Sequence, residues 1–184
     1  MGRPGLFAVI DAVQFDGLVL DSEHAREIRR LSAAVTQAAK EQLHPVHPDY
    51  PDLGVGVSIM YQPPHTPGTD IRTANVYGCT GVDLKRPETW ETGGLDRGVC
   101  GTGSCALMAV LHAKGQLPLH QKFRHEGILG IIYTGELVEE TKIGEYDAVV
   151  PEVTGQSWIY GYNTFVLDPT DPLTEGFTVN DIWA

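Results

Sequence analysis

The chain has no apolar run long enough to span a membrane and no charged start followed by a hydrophobic secretory core, so neither insertion nor export is expected. Basic residues are scarce: 13 Lys and Arg stand against 24 Asp and Glu, a formal net charge of −11. That balance excludes nucleic acid as a natural partner, gives no attraction to anionic membranes and mainly aids solubility. Cysteine is also rare. Three thiols, an odd number without regular spacing and without a Cys-x-x-Cys pair, make neither a disulfide framework nor a structural zinc site. Reduced thiols fit a cytoplasmic location. Seven histidines form no His-x-x-x-His or His-Glu-x-x-His pattern, which leaves a metal site unsupported. His44 and His47 flank prolines and read as solvated turn residues. No polar, low-complexity linker divides the 184 residues, which suffice for the core of one domain, and residues 1–184 are expected to form a single unit.

Periodicity outlines that unit. Leu6 to Ala12 is a continuous apolar run and predicts a buried strand. Asp21 or Ser22 offers an N-cap to a helix running to about Leu43, with Ile28, Leu31, Val35 and Ala38 on its inward face. The His44-Pro45-Val46-His47-Pro48 stretch ends it, because residues before proline leave helical geometry. Strands are expected at Val55–Tyr61 and Thr73–Tyr77, followed by a long connection from Gly78 to Gly94 that is either functional or an insertion. Further strands are expected over Lys122–Ile132, Glu136–Glu140, Ala148–Glu152 and Ser157–Leu167, giving an α+β chain rich in β structure.

The chemistry concentrates in Asp96-Arg97-Gly98-Val99-Cys100-Gly101-Thr102-Gly103-Ser104. The residues that follow, from Cys105 to Ala113, carry almost no polar side chain and predict a buried helix stopped at Gly115, with Lys114 near its negative pole. Cys100 then lies at the positive pole, where unpaired backbone N–H groups of Gly101, Thr102 and Gly103 favour a thiolate and can hold a carboxylate. The glycines let a ligand approach that backbone. A lone cysteine is more often a small core hydrophobe, so the setting carries the reading. Cys105, about 140° further round an ideal helix, faces elsewhere and is expected in the core. Cys79 follows a strand and is read as structural. Asp96 by composition is a turn or cap residue, and Tyr77 at a strand end reads as core or rim. Asp168 and Asp171, each beside a proline, read as a rigid bend.

The string Asp96-Arg97-x-x-Cys100-Gly101-Thr102-Gly103 resembles the second catalytic motif of the proline racemase family, which includes 4-hydroxyproline epimerases and the related trans-3-hydroxyproline dehydratases. Gly5 to Ala12 is similar to the strand opening that family's second lobe. His112 to Leu117, His125 to Gly130, Val153 to Ile159 and Gly161 to Leu173 follow in family order. The resemblance implies a diaminopimelate epimerase-like lobe, a bent sheet or barrel wrapped around the helix after Cys100. It also implies a cofactor-independent racemisation of proline or hydroxyproline by two cysteines, one taking a proton from Cα and the other returning one to the opposite face. In that scheme Cys100 is one acid/base, Gly101 and Thr102 hold the substrate carboxylate, Asp96 meets the ring nitrogen and Tyr77 packs on the ring. No cofactor is implied. Cys100 favours racemisation over dehydration, since the dehydratases usually carry threonine there.

Family members build the site from two similar lobes, and no Met-x-Cys-Gly-His string of the first lobe occurs here. The chain is therefore expected to be the second lobe alone, completed by a first-lobe domain or subunit or by a second copy of itself. A module without turnover on its own is the alternative. Gly98-Val99 replaces the family's usual Ser-Pro, which implies a looser turn before the thiol.

Overall fold

The computed structural model describes residues 5–176. In chain order the elements are β1 (Leu6–Asp11), α1 (Ala25–Gln42), β2 (Val55–Gln62), β3 (Ile71–Tyr77), β4 (Gly94–Leu95), α2 (Gly101–Ala113), β5 (Phe123–Glu126), β6 (Ile132–Ile143) and β7 (Tyr146–Thr154). Among the described residues the strands form one mixed sheet of order β1-β2-β3-β5-β6-β7, with the short β4 also paired to β3. β1 runs parallel to β2 and β3 parallel to β5, while the remaining neighbours are antiparallel.

Strand alternation sends successive side chains to two separate cores. Met60, Ala74 and Val76 join Ile28 and Ala33 of α1 in one. Ile59 and Ile71 face the other way, onto Leu107, Met108 and Leu111 of α2. α2 touches β1 and β2 at one end of the sheet and β6 and β7 at the other, so the sheet curls around it. The result is the expected α+β lobe. Burying Leu107 and Met108 completely anchors the helix, at about 1.5–3 kcal/mol per side chain.

Both helix ends follow local chemistry. α2 closes as its sequence predicts: Gly115 takes φ 70°, its N–H donates to the His112 carbonyl and that of Gln116 to the Leu111 carbonyl, a Schellman motif. α1 begins at Ala25, later than expected, because Asp21 accepts from the N–H groups of Glu23 and His24 and closes a separate turn first. Its fully buried face is Ile28, Ser32, Ala33 and Thr36, with Leu31 and Val35 packed at the margin.

Two strand expectations need correction. Lys122–Ile132 is not one strand but β5, a turn and the start of β6, since Gly127 and Gly130 close a tight reversal, the latter at φ 75°. Ser157–Leu167 carries no regular structure. A strand needs an edge to pair with, and this segment pairs with none of the described strands, so its aromatic and β-branched residues stand in solvent: Trp158 is 62% exposed, Phe165 91% and Tyr160 fully. No described helix is long and apolar enough to cross a membrane.

Candidate active site

The Gly78–Gly94 connection carries a short 3-10 turn at Pro87–Trp90 and is held to α1 by the Arg26–Glu91 ion pair. It delivers β4 to β3, pairing Gly94 with Tyr77 and Leu95 with Val76. That pairing brings Asp96 beside Asn75: the Asp96 N–H donates to the Asn75 carbonyl at 2.9 Å, and the Asn75 side-chain amide donates to the Asp96 carboxylate at 3.3 Å. The Tyr77 ring lies over Gly94 so closely that a Cβ there would come within 2.6 Å of it. Asn75 and Tyr77, two residues apart, share the face of β3 that looks toward α2.

Cys100 is the N-cap of α2. Its backbone is extended (φ −77°, ψ 122°), and its sulfur accepts from the Gly103 N–H at 3.3 Å and lies 3.5 Å from the Thr102 hydroxyl oxygen. The thiol is half-buried and Thr102 is exposed. As at any helix start, the N–H groups of Gly101 and Thr102 have no intrahelical acceptor. Gly103 is where the approach is tightest, since a Cβ there would sit 2.4 Å from the Asn75 side-chain oxygen. Val99 is buried and a Cβ on Gly127 would meet the Gly98 backbone at 3.0 Å, so packing grips the turn that lacks proline.

The structure thus brings Asp96, Cys100, Gly101 and Thr102 into one loop and helix start, with Tyr77 on the adjoining strand end. The other thiols stand apart. Cys79 is buried in the core on the α1 side of the sheet, and that burial pushes its thiol up from the ordinary value. Cys105 is half-buried rather than fully in the core; burial first and the neighbouring Cys100 second push it up as well. All three cysteines are free. A cleft of about 660 Å³ between α1 and Ile128–Leu129 touches Leu95 and Arg97 on the flank of the motif, but not Cys100.

Sequence reasoning passed over the polar residues beneath the motif. Asn75, Ser104 and His125 are all buried. Glu126 is buried too, bonded to the His65 and Thr66 N–H groups and to Arg72 at 3.2 Å. The available signal was a polar side chain at an inward position of a strand, as at Asn75 between the buried Ala74 and Val76.

The family model described as proline racemase matches residues 4–178. The chain belongs to the proline racemase family. It is 36% identical over 172 residues to a proline racemase of Clostridioides difficile, covering 93% of this chain and 47% of that protein. It is 37% identical over 174 residues to a 4-hydroxyproline 2-epimerase of Streptosporangium roseum, covering 94% and 48%. Among solved structures, a hydroxyproline epimerase of Agrobacterium vitis with bound trans-4-hydroxy-L-proline superposes with a TM-score of 0.70 at 29% identity, over 96% of this chain and 47% of that one. A probable proline racemase of Agrobacterium radiobacter with bound carbonate gives 0.71 at 28% identity, over 96% and 48%. The chain spans about half the length of the relatives it matches.

Proposed function

We propose that this chain is the second lobe of a cofactor-independent proline or hydroxyproline racemase or epimerase, with Cys100 as one of its two proton-transferring groups. The observation that carries the reading is the Cys100 sulfur at the start of α2, accepting from the Gly103 N–H beside the open N–H groups of Gly101 and Thr102. Deprotonating Cα of an amino acid builds carbanion character that must be stabilised where it forms. Gly101 and Thr102 N–H groups grip the carboxylate into which that charge spreads. In one direction the Cys100 thiolate removes the Cα proton. In the other its thiol donates a proton, the opposite face being served by a group outside this lobe. Asp96, steadied by Asn75, pairs with the secondary ammonium of the substrate, and Tyr77 borders the ring. Such chemistry needs free thiols, which suits the cytoplasm.

The second reading, a module without turnover alone, draws on the exposed apolar segment of residues 157–167 and on the half-length match to the relatives. Eleven uncharged residues in solvent, most of them aromatic or β-branched, are suited to pairing with a first lobe rather than to standing free. One experiment tests both readings: deuterium incorporation at Cα of L-proline and of trans-4-hydroxy-L-proline in heavy water, with wild type and Cys100→Ser side by side. Exchange that disappears in the variant supports a working base in this lobe, and the faster substrate identifies the activity. No exchange from folded wild type, restored on adding a first-lobe polypeptide, supports the module. Exchange that survives in Cys100→Ser refutes the assignment of Cys100.

A further inference from the structure

We propose that His125 and Ser104 are positioning residues for Cys100, joined in a directed chain of hydrogen bonds from β5 to the carbonyl of the N-cap residue. The proposal rests on the reading of Cys100 as a proton-transferring thiol.

The direction of the chain follows from what each atom can do. The Cys100 carbonyl only accepts. It receives the Ser104 N–H at 2.9 Å and the Ser104 hydroxyl at 2.6 Å. The hydroxyl has one hydrogen and has spent it, so toward His125 it accepts, at 3.1 Å from Nδ1. His125 therefore carries its proton on Nδ1, and its Nε2 is left as a buried lone pair without a partner. Burial lowers His125 from 6.5 to about 4, so the ring stays neutral near pH 7, with the Ser104 bond deciding which nitrogen holds the proton.

A serine bonding back to the carbonyl four residues earlier is common on helices and would mean little alone. The additional fact is that a fully buried histidine from another element gives its single N–H to that serine. His125 cannot swing away. Its ring stacks on Phe123 (centroids 5.5 Å apart, 28° between planes), meets Tyr133 edge-on at 6.2 Å, and sits in a strand paired on both sides. Fold stability does not explain it, since an aromatic hydrocarbon would fill the same stack without an orphaned nitrogen. What the chain achieves is to fix the peptide plane after Cys100. An N-cap residue lies outside the helix and is held to it by a single backbone bond, about which the plane can pivot. A second donor on the same carbonyl, referred to the sheet through His125, locks the rotation that aims the sulfur at the Gly103 N–H.

The test uses the full chain and variants His125→Phe, His125→Asn and Ser104→Ala. Phenylalanine keeps the stack and loses the donor; asparagine places an amide N–H near the former Nδ1; alanine removes the link with little change in volume and keeps the test open if the phenylalanine variant does not fold. The readouts are the rate of iodoacetamide alkylation at Cys100, followed by peptide mass spectrometry with Cys105 and Cys79 as internal references, and Cα exchange in parallel. His125→Phe and Ser104→Ala should slow Cys100 alone by roughly fivefold, the weight of one neutral hydrogen bond, and His125→Asn should restore it to within about twofold. Wild-type reactivity of Cys100 in folded donorless variants overturns the proposal. So does a parallel change at all three thiols, which marks general loosening. Selective slowing at Cys100 in a chain with no Cα exchange upholds the positioning role and favours the module without turnover on its own; if a first-lobe polypeptide does not restore exchange, the positioning role stands and the racemase reading falls.

Discussion

Lowering the pH from 7 to about 4.5 should destabilise this fold by about 2.5 kcal/mol through His125 alone. The side chain is fully buried, and burial holds its proton affinity at about 4 against an ordinary 6.5, with only a minor opposing pull from Asp70. Because the folded value is depressed, the unfolded chain takes up a proton between those two values that the folded chain refuses. The contribution is intact above about pH 6.5 and is lost progressively as the pH falls toward 4. Each unit of difference is worth about 1.4 kcal/mol, and at pH 4.5 nearly two of the two and a half units have been expressed. Urea denaturation followed by circular dichroism, at both pH values, with wild type and His125→Asn, isolates the term. The carboxylates that also weaken in acid, such as Glu126 and Asp21, titrate in both chains and cancel in the difference. Wild type should lose about 2.5 kcal/mol more than the variant on acidification. Parallel losses in the two chains would refute the reasoning, since His125 would then be open to water in the folded state.

The buried Arg72–Glu126 pair gives a second prediction. Burial opposes the Glu126 charge, but hydrogen bonds from Thr66, His65 and Arg72 outweigh it and hold the carboxyl below its usual range. Arg72→Leu strands that charge and should cost about 3–5 kcal/mol in urea denaturation, with Arg72→Leu/Glu126→Gln recovering part of the loss; a double variant no better than the single would show that the guanidinium bonds to the Leu20 and Ile128 carbonyls carry the effect instead. Gly103→Ala drives a methyl against the Asn75 oxygen and should cost about 1–3 kcal/mol in thermal unfolding while displacing Asp96 and reducing Cα exchange. A variant as stable and active as wild type would mean that Asn75 has no part in holding Asp96.

Much of the lobe was legible in the residues. The apolar stretch after Cys100 becomes a helix with Cys100 at its cap and a glycine stop at Gly115, since capping and helix termination are decided within a turn of chain. The strands from Leu6, Val55 and Thr73 follow from runs and alternation for the same reason: burial on a pleated surface has a short period. Ser157–Leu167 has the strand pattern as clearly and is not a strand, because pairing requires a neighbour and a neighbour is a property of the whole assembly. Which side of the sheet each thiol occupies, with Cys79 in the α1 core and Cys100 at the start of α2, depends on topology rather than on spacing.

By itself the sequence determined the local grammar: the glycine-rich turn, the thiol at the head of an apolar helix, the acidic surface and the motif that marks the family. Only the tertiary structure decided that Asn75 lies under Asp96 and that His125 reaches Ser104 from β5. The physical reason is that these bonds join residues 21 positions apart in the chain, and nothing in local propensity or period reports where a curled sheet brings two such side chains together.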